Sequence, residues 1–513
     1  MKRLIPILLS IAVLIGMFSG CSIGNKTDYT PTGSGLHTGD APPENNGNPE
    51  QNAQQVTLTY YPEKTLNPYA CSDFTNRALF TLLYQSLFTV DRNYHIEPML
   101  CSSYKVSPAM DVYTFYVENA TFSDGSALTA LDVVNSLLAA QDGPVYSGRF
   151  RHINKISVTA DAGVEIKLDT PSENLPLLLD IPIVKFDQTA ADYPMGTGPY
   201  FYQETTGGGR LFQRETWWCS AKLAVTVPSI TLVKAETPAK IRDNFEFSSL
   251  DLVCADPGSD HYVDFRCDYE LWESENGIFL YLACNTKSKV FSLPEVRSAL
   301  THAINRDFLV SEYYRGFAQS ATLPASPRFP YYSAKLAAEY GYDSIQFAQA
   351  VNDAQLRETP VVLLVNKGDT LRLRVAREIG NMLSDCGLVV QMKELAKDEY
   401  NRALKNGSYD LYLGQTMLSP NMDLGAFFGS SGALHYGIND IGMYTLCKEA
   451  LANHGNYYTL HRTIMEDGRL VPILFRSYAI YTTRGLLTEL NPARDSLFYY
   501  SLGKTMADAL IQE

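Results

Sequence analysis

Residues 55–61 alternate polar and apolar side chains, Gln55-Val56-Thr57-Leu58-Thr59-Tyr60-Tyr61, and stop at Pro62, which predicts a strand with one buried face. From 74 to 88 the period changes: Leu79, Leu82, Leu83 and Leu87 recur at helical spacing. A strand at 113–117 leads to a turn at Ser123-Asp124-Gly125-Ser126. Thr129 then predicts a helix start, because the Asp132 carboxylate three residues on reaches back to the cap; the helix ends at Gly143-Pro144. Strands are predicted at 156–159, 164–168, 211–214, 229–233 and 279–284. A capping box with an early proline, Ser292-Leu293-Pro294-Glu295, opens a helix whose apolar face is Val296, Leu300, Ala303, Ile304 and Phe308. A regular alternation follows: strand 361–365, helix 371–386 closed by Gly387, strand 388–394, helix 397–405 ended by Asn406-Gly407, strand 409–414. Such alternation makes a parallel sheet with crossover helices, so the fold class is α/β with more than one sheet.

The N-terminal segment follows other rules. Met1-Lys2-Arg3 is cationic, residues 4–18 are almost wholly apolar, and Phe18-Ser19-Gly20-Cys21 puts small residues before a cysteine. The apolar run is shorter than the ~20 residues needed to cross a bilayer comfortably. It resembles a bacterial lipoprotein signal with its lipobox, with Phe18 where the pattern carries an aliphatic residue. The resemblance implies a signal peptide over 1–20, lipid on Cys21, and a mature protein on the extracellular or periplasmic side of the cell membrane. Residues 22–55 are rich in Gly, Asn, Pro, Thr, Ser and Glu and have almost no large apolar side chains to bury, so 21–55 reads as a flexible tether. A coil of that length spans about 30 Å.

Composition narrows the partners. The chain of 513 residues is 45% hydrophobic and 19% charged, ordinary globular material, and two or three domains are expected. A net charge of −14 argues against nucleic acid and against an anionic membrane surface as partners. Eight cysteines follow Cys21, a number that allows 105 pairings, and most read as buried free thiols. No Cys-x-x-Cys, His-Glu-x-x-His, phosphate loop or Gly-x-Gly-x-x-Gly is present. The one Gly-x-Ser-x-Gly match, Gly20-Cys21-Ser22-Ile23-Gly24, straddles the lipidation site and not a strand–turn–helix elbow. The eight histidines lack metal-ligand spacing, and His302, inside the helix after Ser292, reads as a satisfied structural residue. No catalytic residue, metal ligand or cofactor is therefore assigned, and the chain is read as a non-enzyme.

Taken in order, the landmarks resemble the extracellular solute-binding proteins of peptide-type ABC importers, the oligopeptide, dipeptide and nickel family. They begin with Leu66-Asn67-Pro68-Tyr69 and Leu83-Tyr84-Gln85-Ser86-Leu87-Phe88. Tyr113-Thr114-Phe115 with 122–134, Phe-Ser-Asp-Gly-Ser-Ala-Leu-Thr-Ala-Leu-Asp-Val-Val, matches the family's "YTF…F-DG-PLTAEDVV" with one Pro missing and Leu for Glu. Met195-Gly196-Thr197-Gly198-Pro199-Tyr200, Trp217-Trp218, 245–252, Pro294 to Leu300 with Ala303-Ile304-Asn305-Arg306, and Gly407-Ser408-Tyr409-Asp410-Leu411 complete the series. The resemblance implies a periplasmic-binding-protein-like fold of two hinged lobes, the first with an extra subdomain. Residues 56–88, 190–278 and 479–513 fall to the main subdomain of the first lobe, 89–189 to the extra one and 279–478 to the second lobe, with Gly196 and Gly198 expected to give backbone freedom at the crossing.

The same resemblance implies a monomeric receptor that closes on a peptide or other small solute and hands it to ABC permease subunits. Its implied ligand-contact residues are Asn67, Tyr69 and Asp73 after the first strand, Tyr281 and Asn285 at the entry to the second lobe, and Gln415, Thr416 and Asp423 after the 409–414 strand. Oligopeptide-binding members carry a Trp and an amine-pairing Asp there; this chain has Gln415 and Leu418, with Asp423 five residues on as the possible substitute. A sugar, glycoside or metal chelate is the alternative ligand, and His435 is the histidine placed to serve a nickel chelate. A peptide-signal sensor is the alternative role, and a surface hydrolase the least favoured.

Overall fold

The computed structural model describes residues 55–484 apart from 223, 224, 226, 260 and 261. The leader, Cys21, the tether up to residue 54 and the segment 485–513 lie outside the described residues.

The first lobe contains two four-stranded sheets. One has the order Gln55–Tyr60, Ser229–Lys234, Gly208–Gln213, Tyr200–Thr205, with its first pair parallel. The alternation predicted for the first strand holds: Val56, Leu58 and Tyr60 point into the core. The other sheet is antiparallel, Cys101–Val106, Val112–Val117, Val164–Leu168, Ile153–Val158. The helix Ala130–Asp142 packs against it through Val133 and Leu137, and the Thr129–Asp132 capping box is formed as predicted. Both sheets share one apolar core, in which Leu58 and Ile230 join Phe115, Val133 and Leu137. The two sheets are thus separate but rest on a continuous core.

The second lobe is built on a seven-stranded sheet, Leu252–Ala255, Leu470–Thr482, Glu270–Cys284, Leu411–Met417, Pro360–Asn366, Val389–Leu395, with Ala318–Ser320 beside the second of these. Pro360–Asn366 runs parallel to both Val389–Leu395 and Leu411–Met417, and the crossovers are the helices Thr370–Asp385 and Lys397–Asn406. The longer helix buries Leu371, Val375, Ile379 and Leu383, one stripe at four-residue spacing. This block matches its predicted elements almost strand for strand.

Two long strands join the lobes. Glu270–Cys284, 15 residues, and Leu470–Thr482, 13 residues, pair antiparallel from Glu270 opposite Thr482 to Ala283 opposite Leu470. The register slips between Glu275 and Phe279, where Gly277 takes φ 71°, a left-handed conformation that glycine adopts at little cost. The sequence predicted this strand only from Phe279. Its polar first half is extended because tertiary partners satisfy it: Ser477 Oγ donates to Glu273 at 2.6 Å, and Glu275 accepts from Tyr94 and Ser326, both at 2.9 Å.

Three further expectations are corrected. The 74–88 helix is two short turns, Phe74–Arg77 and Phe80–Leu83, because Gln85 leaves to bridge Ile183 and Phe88–Val90 enters a strand pair with Ile96–Pro98. Helix Pro294–Ala299 lacks the Ser292 cap, since Ser292 Oγ bonds the Lys289 carbonyl, and a new helix, Arg306–Tyr314, starts from Asn305. The break is held by Arg306, whose buried guanidinium donates to the carbonyls of Ala321, Pro472 and Thr301, while Phe308 is 40% exposed and off the apolar face. Gly196 and Gly198 are not in the left-handed region; a Cβ there would meet the Leu83 carbonyl oxygen at 2.1 and 2.6 Å, so close backbone approach is what they permit. The eight described cysteines are all free thiols, six of them buried.

Candidate ligand-binding cleft

The strand Leu411–Met417 ends at the junction of the lobes and delivers Gln415 and Thr416 there. Gln415 accepts a hydrogen bond from Arg476 at 3.2 Å. Arg476, on the second joining strand, also holds Asp256, which follows the edge strand Leu252–Ala255 of the same sheet, through two bonds of 2.7 and 2.9 Å. Both bonds come from the one nitrogen Nη2, while Nη1 serves Gln415, so the largely buried guanidinium is shared between a carboxylate and an amide oxygen. Thr416 is half-buried opposite Phe279.

Beyond the strand, Leu418 turns into the core, and Met422 takes φ 51° as the loop brings Asp423 to the opposite lobe. Asp423 Oδ1 accepts from the Gly425 N–H at 2.7 Å. Its Oδ2 faces first-lobe side chains, His152 Nε2 at 3.2 Å and Arg151 Nε at 3.3 Å. Burial alone pushes such a carboxyl up; His152 and Arg151 outweigh it and hold Asp423 below its ordinary value. His152 Nδ1 in turn lies 3.5 Å from Asp169. A narrow crevice opens beside them, lined by Arg149, Leu175, Ser419, Asn421 and Leu451.

The other expected contact residues sit in the walls. Asn67 donates its amide to the carbonyls of Thr189 and Ala191 at 2.9 and 2.7 Å and accepts from the Tyr69 N–H. Tyr69 is buried with its hydroxyl on the Pro182 carbonyl at 2.8 Å. Asp73 caps the Phe74–Arg77 turn and pairs with Lys64 at 2.6 Å. Tyr281 is buried edge-on against Tyr412 and Phe427, and burial drives its hydroxyl well above the usual tyrosine value. Asn285 donates to the carbonyls of Gly407 and Tyr409. The structure therefore gathers Gln415 with Arg476 and Asp256, and Asp423 with Arg151 and His152; the remaining residues hold the loops that frame them. His435 faces the Gly432 carbonyl and stacks on Tyr436, apart from both groups. Among the described residues no three His, Cys, Asp or Glu side chains stand close enough to hold a metal ion.

Sequence reasoning missed Arg151, His152, Asp256 and Arg476. The one local signal was the adjacent basic residues Arg151-His152 at the mouth of a strand.

Comparison with known proteins places this architecture. Residues 95–434 match the model for bacterial extracellular solute-binding proteins, family 5, middle region. The glutathione-binding protein GsiB of Escherichia coli K12 is 26% identical over 321 residues, an alignment spanning 56% of this chain and 59% of that relative's length. In fold, the putative peptide-binding protein AppA of Clostridium difficile aligns with a TM-score of 0.72 at 14% identity, covering 88% of this chain and 99% of its own. NikA of Brucella suis, solved with Fe(III)-EDTA, aligns with a TM-score of 0.69 at 17% identity, covering 87% and 99%. No helix among the described residues is long and apolar enough to cross a membrane. The chain belongs to family 5 of the bacterial extracellular solute-binding proteins.

Proposed function

We propose that the protein is the lipid-anchored receptor of an ABC importer, capturing a short peptide between its lobes and releasing it unchanged to permease subunits. The observation that carries this reading is the pair of long strands linking the lobes, with the Gly277 bulge between them and charged side chains meeting across the cleft. Such strands bend as a hinge while each sheet stays rigid, and a solute closes the lobes only by binding the closed state better. Gln415 and Thr416 are proposed to face the solute and Asp423 to border it while paired to the other lobe, with Asn67, Tyr69, Asp73, Tyr281 and Asn285 supporting the walls. A short peptide suits a cleft edged by strand backbone, which offers main-chain hydrogen bonds without demanding a sequence. The glutathione-binding relative favours short peptides over sugars.

Thermal melts of the purified protein against glutathione, di- to octapeptides, sugars and nickel–histidine test it. A ligand at a hundred times its Kd stabilises by about 2.7 kcal/mol, so a peptide of the right class raises Tm by degrees. A melt moved only by sugar or chelate, or by none of them, contradicts the peptide reading. Anchoring is tested separately: labelled palmitate should enter the wild-type protein and not Cys21→Ser.

A further inference from the structure

Between segment 90–177 of the first lobe on one side and Glu275 of the joining strand with segment 329–457 of the second lobe on the other, contacts run along one seam. The Tyr94 hydroxyl donates to Glu275 at 2.9 Å, and its ring meets Phe329 edge-on at 5.6 Å. Arg151 and His152 face Asp423. The Glu173 N–H donates to the Leu451 carbonyl at 2.9 Å, and the Glu173 carboxylate accepts from the His454 N–H at 3.0 Å. Between these stitches, Val90, Tyr94 and Leu177 are buried in one apolar cluster with Phe329, Phe427 and Tyr457.

We propose that this seam is a built-in latch: Asp423 grips Arg151 and His152 across the cleft, so the lobes close without needing a charged end on the solute. Asp423 is fixed on its own lobe by the Gly425 N–H, and its outward oxygen is already taken by two side chains of the other. A solute ammonium could reach that oxygen only by displacing them. Arg151 and His152 are in turn anchored where the Ser147–Phe150 turn meets the Ile153–Val158 strand, with Asp169 behind the imidazole. Buried apolar side chains supply the rest of the closing free energy. Asp423 thus acts as a positioning residue for closure. This inference rests on the cleft reading above, and the experiment separates the two because its main arm uses no solute.

Small-angle X-ray scattering of the ligand-free full chain is compared with Asp423→Asn and with Arg151→Gln/His152→Gln, each checked for folding by circular dichroism. The wild type should scatter as the closed form. Each variant should enlarge the radius of gyration as the closed-to-open ratio falls about tenfold or more, and the triple variant should open no further than either. If Asp423→Asn fails to fold, Glu173→Gln, at the solvent-exposed edge of the seam, should show a smaller opening in the same direction. Scattering that is the same in wild type and variants overturns the latch. So does a loss of free-amine peptide binding in Asp423→Asn that exceeds about tenfold relative to the N-acetylated peptide while scattering stays unchanged. A failure of all peptides to bind, with the scattering shifts intact, would sink the import reading alone.

Discussion

The parallel block 360–417 and the seam facing it are held by different means. In the block, each strand and helix buries residues set by short spacings, such as Leu371, Val375 and Ile379 along one helix face. Along the seam the partners stand far apart in sequence: 181 residues separate Tyr94 from Glu275, 271 separate His152 from Asp423, and 281 separate Glu173 from His454. The block's core contacts are apolar and lie within one sheet and its covering helices. The seam combines polar pairs with an apolar cluster of Val90, Tyr94, Leu177, Phe329, Phe427 and Tyr457, all joined across long stretches of chain. If the seam is the proposed latch, stability and closure are set by separate parts of the molecule, and substitutions address one without the other.

Acid should reveal the largest effect, at the helix Tyr457–Asp467 beneath the seam. His461 is fully buried there, neither ring nitrogen has a hydrogen-bond partner among the described residues, and burial drops its pKa to about 3. The unfolded chain therefore takes up this proton first. The stability present above about pH 6.5 is lost as pH falls toward 3, by at most about 5 kcal/mol. Urea melts between pH 7 and pH 4 should show the slope, and His461→Leu should flatten it; an equal slope in the variant removes this origin.

Next in size is a cavity in the block. Ile379→Ala should cost about 2–5 kcal/mol of global stability while leaving ligand-free scattering unchanged. A shift in scattering would contradict that separation. At the hinge, Gly277→Ala should cost about 1–2 kcal/mol, because the left-handed φ is strained for alanine, and should alter the closed fraction as well. The smallest effect is expected in the first-lobe loop: Lys64→Ala removes a partly exposed pair with Asp73 and should change stability by less than about 1 kcal/mol. Asp73→Ala also removes the cap and should cost more, about 1 kcal/mol.

How much was legible in the sequence follows the same division. The 360–417 block, the Thr129–Asp132 box and the strand at 55–60 are specified by neighbours two to four residues apart, and each formed as expected. The polar stretch Glu273-Ser274-Glu275-Asn276 did not read as a strand because its partners, Tyr94, Ser326 and Ser477, lie elsewhere in the chain. The Pro294 to Phe308 periodicity ran through a break that only the distant carbonyls of Ala321 and Pro472 explain. At the cleft, motif order pointed to the strand carrying Gln415 and to Asp423. It could not supply Arg151, His152 or Arg476, since a charged side chain carries no pattern until a fold brings its counter-ion near.

The central claim is that two hinged lobes hold a small solute and leave it chemically intact. Incubating the purified protein with a mixed pool of glutathione and short peptides, washing, and weighing what elutes on denaturation tests it directly. One solute recovered per chain, at unaltered mass, is the result expected. Protein that comes through empty, or a solute recovered cleaved or modified, would contradict it.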